Sequence, residues 1–218
     1  MSRTSSIELP SRPNLEFEQR LWQEGYRIIA GLDEAGRGAW AGPVVAAAVV
    51  LPNDPRVSDL LSGVRDSKRM TPGQRERWRG CIQSAAVAWS VASATHEEID
   101  MIGILPSTCL AMQRALDELR NPPNHLLVDY IHIPNCACPQ LSLPYGDCRS
   151  LSIAAASVLA KTGRDAWMVQ MDEAFPGYGF AQHKGYGTAQ HRRALMQKGT
   201  LPIHRRSFRP IVDMVFCW

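Results

Sequence analysis

Short apolar runs that end at glycine, proline or a carboxylate predict the β-strands of this chain. The runs at 27–33 and 44–51 flank a glycine-rich turn, which is typical of two consecutive strands. Shorter runs at 87–93, 125–129 and 141–144 predict three more strands. The sequence therefore predicts five strands, two of which end directly at a carboxylate.

Apolar residues with helical spacing fill the segments between these runs. Thr71 followed by Pro72 is a typical helix start, and the long stretch at 150–174 has helical periodicity. The predicted helices lie at 17–26, 71–84, 97–100, 107–119, 150–174 and 188–198. The main order, β-β-α-β-α-β-β-α, predicts an α/β fold in which helices pack on a mixed sheet.

Length and composition indicate an ordinary globular protein with one main domain. The chain has 218 residues, of which 45% are hydrophobic and 21% are charged. The pattern predicts three parts: a leader with a short helix at 1–26, a core at 27–174 and a basic extension at 175–218.

Basic residues are unevenly distributed along the chain. The net charge is only +3, but no Asp or Glu occurs from 174 to 212, and a second basic cluster lies at 65–79. A solvated face would explain either cluster alone. In a chain that also carries a set of carboxylates, the two clusters favour a polyanionic partner.

The sequence predicts neither secretion nor a membrane span. Residues 1–13 are polar and lack the apolar core of a signal peptide, and the longest apolar stretch, 39–51, is too short to cross a bilayer. We therefore expect a cytoplasmic protein.

Six cysteines in a chain of this length do not by themselves predict a disulfide framework. A zinc site formed by His132, Cys136, Cys138 and Cys148 is an alternative. The irregular spacing of these residues favours free thiols instead.

Four carboxylates at three element ends predict a metal site. Asp33 and Glu34 end the first strand, Asp129 ends the fourth, and Asp147 precedes the long helix, whose dipole favours an ionised carboxylate. Each acid alone is typical of a turn or a helix cap. Together, oxygen ligands of this kind suit Mg²⁺ or Mn²⁺ rather than zinc, and two such ions can flank a phosphodiester.

The turn after the first strand has the residue types of a phosphate contact. Its residues are Gly36, Arg37 and Gly38. Glycine lets a backbone approach a ligand closely, and arginine is a ready partner for phosphate. Metal, phosphate and close backbone contact are thus predicted within one hexapeptide.

Several motifs, in the same order along the chain, resemble one family: ribonuclease HII, the type 2 ribonucleases H. The resemblance covers residues 30–210. Its motifs are Gly31–Gly38 with Ala41–Ala48, Asp66–Lys68, Leu127–Asp129, Gly146–Asp147 with Ser152–Ser157 and Ala160–Lys161, His183–Thr188, and Pro202–Phe208. The resemblance implies a ribonuclease H-like mixed five-stranded sheet flanked by helices, with a small C-terminal helical extension.

The resemblance also implies roles for the site residues. The four carboxylates resemble the metal-binding catalytic set of the family, with Mg²⁺ or Mn²⁺ as cofactor. Gly36, Arg37 and Gly38 resemble the backbone motif that contacts a ribonucleotide's 2′-OH and the neighbouring phosphates. Tyr186 resembles the tyrosine that stacks on a sugar beside the ribonucleotide, although alone it is typical of a loop aromatic at a core edge.

The implied partners are RNA–DNA hybrids and ribonucleotide-containing duplex DNA. Ser67 and Lys68 resemble contacts to the nucleic-acid backbone. The implied endoribonuclease hydrolyses the RNA strand of hybrids and cuts DNA duplexes on the 5′ side of embedded ribonucleotides by two-metal-ion hydrolysis, leaving 5′-phosphate and 3′-OH ends. It is expected to act as a monomer.

Two alternatives stay open beside this function. A hybrid-binding protein without catalysis would use the same basic clusters, but grouped carboxylates repel a phosphate backbone unless metal ions lie between them. A different metal-dependent nuclease or phosphotransferase is the other alternative, and the chain has no P-loop for a nucleotide cofactor.

Three positions depart from the family pattern. Tyr130 stands where glycine is usual, Tyr145 where lysine is frequent, and Gly103 where asparagine is common. None of these departures removes a carboxylate. An exposed aromatic tail at 216–218 would permit partner binding.

The remaining features of the long helix are assigned to structure. The alanines at 154–156 are small enough to let this helix lie close to the sheet that carries the acids. Arg164 and Asp165 are likewise assigned structural roles.

Overall fold

The computed structural model describes residues 9–215, which contain a five-stranded mixed sheet. Its strands are β1 (Ile29–Ala35), β2 (Val44–Val50), β3 (Ala88–Ala94), β4 (His125–Asp129) and β5 (Gln140–Leu143). In the order β3-β2-β1-β4-β5, the pairs β1–β2 and β2–β3 are antiparallel, whereas β1–β4 and β4–β5 are parallel. The predicted α/β class and the five predicted strands are confirmed.

Ten helices accompany the sheet in this part of the chain. They are α1 (Glu16–Gln23), α2 (Val57–Leu60), α3 (Pro72–Ala85), α4 (His96–Ile102), α5 (Ile104–Asp117), α6 (Gly146–Arg149), α7 (Leu151–Ala174), α8 (Phe180–His183), α9 (Ala189–Lys198) and α10 (Arg209–Val215). A short 3-10 turn, Ser67–Arg69, lies between α2 and α3.

Several boundaries differ from the predicted ones by a few residues, and three of them are described here. β1 continues two residues past Asp33, so the first two carboxylates lie within the strand and not beyond it. α5 begins at Ile104, because Pro106 is tolerated in the first turn of a helix. Ser150 has an extended backbone, and its hydroxyl accepts the Ile153 N–H, so α6 and α7 are separate helices.

The two faces of the sheet are covered by different helices. On one face, Ala46 and Ala48 of β2 belong to a cluster with Met112 and Ala115 of α5. On the other face, Ala47 of β2 belongs to a cluster with the apolar side of α7. Both faces of β2 are thus buried, which explains its continuous apolar sequence.

Helix α7 approaches β1 closely because both surfaces carry small residues. Ala154, Ala155 and Ala156 are fully buried, and a Cβ placed on Gly31 would lie 2.3 Å from the carbonyl carbon of Ser152. A side chain at Gly31 would therefore collide with the backbone of α7. The structural role predicted for the alanines is confirmed.

A separate apolar cluster supports the C-terminal segment. Phe180, Leu195, Ile203 and Ile211 pack with Met168 of α7. Helices α8, α9 and α10 are thereby attached to the same helix that covers the main sheet.

The predicted three-part division of the chain stays a prediction. The aromatic tail at 216–218 lies outside the described residues. Among the helices formed by residues 9–215, none is both long enough and apolar enough to cross a membrane.

The first testable consequence concerns the contact between α7 and β1. We expect Gly31→Ala to lower the free energy of unfolding by about 3 kcal/mol, because backbone atoms of α7 would have to move. Gly80→Ala, within α3, is the matched control, since no atom of the described residues lies within 4 Å of a Cβ there. Urea denaturation measures both changes, and equal stabilities of the two variants would contradict the packing argument.

Candidate active site

The carboxyl ends of β1 and β4 bring two acids together. Because Leu32 pairs with Val128 in parallel register, Asp33 and Asp129 follow at neighbouring positions of adjacent strands. The third acid, Asp147, arrives on the short helix α6. That helix is held against β4 by the Gly146 N–H, which donates to Asp129 Oδ1 over 2.7 Å.

Burial and mutual repulsion make these acids reluctant to ionise. Asp33 is 3% exposed and Asp147 is 6% exposed. Burial, and then the charges of neighbouring carboxylates, raise the pKa of Asp33 well above its usual value, although a hydrogen bond with Ser157 opposes this. Burial also raises the pKa of Asp129, and burial together with the charge of Asp129 raises the pKa of Asp147.

Only one of the two carboxylate oxygens of Glu34 has a partner in the described part of the chain. Arg37 Nη1 lies 3.4 Å from Glu34 Oε1, whereas Glu34 Oε2 is buried and has no hydrogen-bond partner in the described part of the chain. Burial raises the pKa of Glu34 despite the opposing charge of Arg37. An orphaned buried carboxylate oxygen is a group that a cation could satisfy.

Asp66 is an acid of this region that the sequence did not single out. One oxygen or sulfur atom each from Asp66, Asp147 and Cys148 lies within 4.8 Å of the other two, and residues 9–215 contain no other such group of three His, Cys, Asp or Glu side chains. The four predicted carboxylates are close neighbours, but no three of them meet this spacing. The sequence held one signal that could have identified this acid: Asp66 is the first residue of the Asp66–Lys68 motif.

Lys68 supplies a positive charge to this acidic region. Its Nζ lies 3.8 Å from Asp147 Oδ2, and its side chain is 76% exposed. Burial acts against its charge, but Asp33 and Asp147 outweigh this and raise the pKa of Lys68. An exposed ammonium thus partly neutralises the carboxylates from the solvent side.

The donor set fits a hard divalent cation. The predicted ligand side chains Asp33, Glu34, Asp129 and Asp147 offer only oxygen atoms, and burial raises the pKa of all four despite the nearby charges of Lys68 and Arg37. The zinc alternative has no comparable support, because His132, Cys136 and Cys138 do not belong to the Asp66 group.

The glycine-rich loop, residues 36–43 between β1 and β2, is fixed by a buried arginine on α7. Arg164 is fully buried and donates to the carbonyls of Ala41, Pro43 and Lys184 at 2.9–3.0 Å. Gly36 has a φ of +98°, and a Cβ there would lie 2.0 Å from Arg164 Nε. The structural role predicted for Arg164 is confirmed, and Gly36 is required by both its φ and its contact.

A second buried arginine holds the same loop from the other side. Arg205 donates to the carbonyls of Arg37 and Gly42, each at 2.9 Å. Burial, and then the charge of Arg164, lower the pKa of Arg205 to about 9. The sequence counted this arginine among the basic residues that favour a polyanionic partner, but Arg205 is fully buried and serves as an internal donor.

Arg75 is another internal member of a basic cluster. It is largely buried, donates to the carbonyls of Ser67 and Met70, and forms an ion pair with Asp165 at 3.0 Å. Asp165 also accepts a hydrogen bond from Lys161 over 2.6 Å, which confirms its predicted structural role. The ionic groups between α3 and α7 therefore support the 3-10 turn.

Tyr186 lies beside the glycine-rich loop. It forms an isolated β-bridge with Ala39, and the cationic groups of Lys161 and Arg164 lie 5.6 Å and 5.3 Å from the centre of its ring. Its carbonyl oxygen is 3.1 Å from His191 Nδ1. The ring of Tyr186 therefore lies between the cationic side chains of α7 and the glycine-rich loop.

Three histidines near Tyr186, namely His183, His191 and His204, form a neutral network. His183 and His191 stack with ring centres 4.4 Å apart, and His191 Nε2 lies 3.0 Å from His204 Nε2. Burial lowers the pKa of both His191 and His204 to about 4. Both rings are therefore neutral at neutral pH, and one of the two Nε2 atoms donates a hydrogen bond to the other.

A cleft of about 680 Å³ joins the predicted recognition residues. Its lining includes Glu34, Gly36, Arg37, Gly38, Ser67, Lys68 and Tyr186. The other three predicted carboxylates are not part of this lining; Lys68 connects the cleft to them through its contact with Asp147. Ser67 is buried, and its hydroxyl is 2.9 Å from that of Ser157.

Comparisons with known proteins identify relatives over nearly the whole chain. The sequence model of the family described as ribonuclease HII matches residues 30–211. Ribonuclease HII from Chloroflexus aurantiacus is 53% identical over 92% of this chain and 95% of its own. Ribonuclease HII from Roseiflexus castenholzii is also 53% identical, over 94% of this chain and 92% of its own.

Solved structures show the same fold. The crystal structure of ribonuclease H2 from Pyrococcus horikoshii OT3 superposes with a TM-score of 0.70 at 26% identity, covering 86% of this chain and 96% of that chain. Bst-RNase HIII in complex with Mn²⁺ superposes with a TM-score of 0.65 at 17% identity, covering 99% of this chain and 76% of that chain. The ribonuclease H-like fold is confirmed.

The raised pKa values predict that Asp33→Asn stabilises the metal-free protein. An acid whose pKa is raised by folding costs stability above its unfolded pKa, and this cost disappears at low pH where it is protonated. At pH 7, where this cost is present, we expect the Tm of metal-free Asp33→Asn to exceed that of the native protein. The difference in Tm between Asp33→Asn and the native protein should shrink as the pH falls through the range in which carboxyl groups become protonated.

Thermal unfolding with a chelator measures this effect. Asp59→Asn, on the exposed surface of α2, is the control and should leave the Tm unchanged. Added Mg²⁺ should raise the Tm of the native protein more than that of Asp33→Asn. A Tm of metal-free Asp33→Asn below that of the native protein would contradict the electrostatic account.

Proposed function

This chain belongs to the ribonuclease HII family and is therefore a metal-dependent ribonuclease that cleaves the RNA strand of RNA–DNA hybrids, and we propose that it also cuts duplex DNA on the 5′ side of an embedded ribonucleotide. The observation that carries this proposal is the single cleft that joins Glu34 to Gly36–Gly38 and Tyr186. Cutting and ribose recognition would then occur at adjoining residues.

Asp33, Glu34, Asp129 and Asp147 would hold two divalent cations, either Mg²⁺ or Mn²⁺. Such ions supply an activated water and stabilise the leaving oxygen of a phosphodiester. The buried unpartnered oxygen of Glu34 and the raised pKa values of the acids support this assignment. The protein's part is to orient the acids, and no histidine is required as a general base. The products would carry 5′-phosphate and 3′-OH ends.

The backbone of the glycine-rich loop would recognise the 2′-OH. Its carbonyls at Arg37 and Ala41 are occupied by Arg205 and Arg164, whereas the N–H groups of Arg37 and Gly38 make no hydrogen bond within residues 9–215. Free N–H donors beside an open cleft suit a hydroxyl or a phosphate oxygen.

The remaining predicted contacts surround this loop. Tyr186 would stack on the sugar next to the ribonucleotide, and Lys68 would bind a backbone phosphate. Ser67 would act at the same turn, where its buried hydroxyl already contacts Ser157. All of these groups come from one chain, which supports action as a monomer.

The decisive experiment uses a DNA duplex with one embedded ribonucleotide. In Mg²⁺ or Mn²⁺ we expect a single cut on the 5′ side of the ribonucleotide, mapped by end-labelled products with 5′-phosphate and 3′-OH ends. Asp33→Asn should lower kcat by about 100-fold or more. Salt-sensitive binding without turnover would identify a hybrid-binding protein instead, and full activity of Asp33→Asn would refute the assigned metal site.

Gly38→Ala tests backbone recognition with little risk to the fold. No atom of residues 9–215 lies within 4 Å of a Cβ at Gly38, so the added methyl group clashes with none of them in the free protein. A nucleotide held against this backbone would be displaced, and we expect kcat/KM on the single-ribonucleotide duplex to fall by about 10- to 100-fold.

The Tm of Gly38→Ala should stay at the native value, which separates it from Gly36→Ala, where the methyl group would strike Arg164. Gly80→Ala serves again as the control with native kinetics. If Gly38→Ala cleaves the duplex at the native rate, the nucleotide does not approach this backbone.

A further inference from the structure

Two exposed tyrosines stand next to the carboxylates and have no part in the function proposed above. Tyr130, which directly follows Asp129, is 72% exposed, and Tyr145, two residues before Asp147, is 60% exposed. Within residues 9–215, neither hydroxyl makes a hydrogen bond and neither ring packs on another ring. Aromatic rings this exposed contribute little to the stability of the free protein.

Both tyrosines have a backbone conformation that their side chains disfavour. Tyr130 has a φ of +59° and Tyr145 a φ of +56°, in the left-handed region where glycine is at ease. At Tyr130 the chain turns so sharply that the Ile131 N–H donates to the carbonyl of Asp129 over 2.6 Å. A bulky residue at such a strained position points to a functional role for its side chain.

The two turns are joined to each other and to the acids. The Tyr130 N–H donates to the carbonyl of Leu143 over 3.0 Å, so the turn after β4 is tied to the end of β5. Tyr145 follows Leu143 by two residues, and the next residue, Gly146, donates to Asp129. Both rings therefore project from one hydrogen-bonded surface beside the carboxylates, formed by residues 129–131 and 143–146 and called the rim below.

This rim lies on the opposite side of the carboxylates from Tyr186. In the sheet order, β1 with Asp33 and β4 with Asp129 are central. Tyr186 is bridged to Ala39, in the connection that leads from β1 towards β2, whereas the two tyrosines end β4 and the edge strand β5. A nucleic-acid strand held at the carboxylates and at Tyr186 would continue over this rim.

We propose that Tyr130 and Tyr145 form a second aromatic subsite, which packs on the sugars of the nucleic-acid strand on the β5 side of the carboxylates. The bases of a duplex are stacked inside it, so the sugar faces and the backbone are what an exposed ring on a rim can reach. Neutral rings add contact area without adding charge to a region already crowded with acids. The inference rests on the proposed nuclease function and extends it.

The left-handed backbone makes an informative test possible. Tyr130→Gly, Tyr145→Gly and the double variant remove the rings at positions where glycine relieves strain, so the Tm should equal or exceed that of the native protein. For the single-ribonucleotide duplex we expect each single variant to raise KM by about two- to tenfold, with kcat retained. Tyr130→Phe and Tyr145→Phe should keep the native KM, because the ring and not the hydroxyl makes the contact.

Two controls distinguish this subsite from other effects. Trp89, 41% exposed on the far edge strand β3, is an exposed aromatic away from the rim, and Trp89→Ala should keep the native KM. Asparagine also tolerates the left-handed region, so Tyr130→Asn and Tyr145→Asn repeat the test if a glycine variant loses stability. Since the rings are uncharged, the salt dependence of KM should be that of the native protein in every variant.

The outcomes separate the two proposals. Absence of cleavage by the native chain would overturn the proposed function itself. Normal cleavage by the native chain together with a native KM for the double glycine variant would overturn the aromatic subsite alone. A rise in KM for the phenylalanine variants as large as that for glycine would also overturn it, because it would assign the contact to the hydroxyl groups.

Discussion

The close packing of helix α7 against β1 is the contact on which the rest of the site depends. The missing side chain at Gly31 lets the backbone of this helix approach the strand that carries Asp33. Along α7, successive side chains then fix separate parts of the site: Ser157 contacts Ser67, Arg164 holds the glycine-rich loop, and Met168 supports the C-terminal segment. One helix thus sets the relative positions of the acids, the loop and Tyr186.

The acids show how function costs stability in this fold. Carboxylates grouped at the ends of β1 and β4 are buried enough to raise one another's pKa values, and Lys68 neutralises them only in part. A protein selected for stability alone would replace them with amides or apolar residues. A cation bound between them would reverse the sign of the interaction, because the raised charge density that destabilises the free protein is what binds a hard metal ion.

Much of this could be predicted from the sequence, and the exceptions share a physical cause. The strands and the carboxylate positions follow from short apolar runs and their end residues, which are local signals. Asp66 was missed because its proximity to Asp147 is created by the fold. Arg205 was counted with the basic residues that face a polyanionic partner, because the burial of its guanidinium depends on carbonyls more than 160 residues away in the sequence, at Arg37 and Gly42. The four-residue helices α2, α6 and α8 are too short to show a period.

The two buried arginines decide which groups of the glycine-rich loop remain available to a ligand. Guanidinium groups are donors only, so Arg164 and Arg205 can bind nothing in this loop except its carbonyls. Because these carbonyls accept hydrogen bonds from the arginines, the groups that the loop offers to the cleft are N–H donors. Such donors suit phosphate and ribose oxygens, which accept hydrogen bonds. This loop follows β1 directly, and Glu34 lies next to the last residue of that strand. The two arginines that bind the carbonyls of the loop therefore also fix its N–H donors relative to the carboxylates of β1.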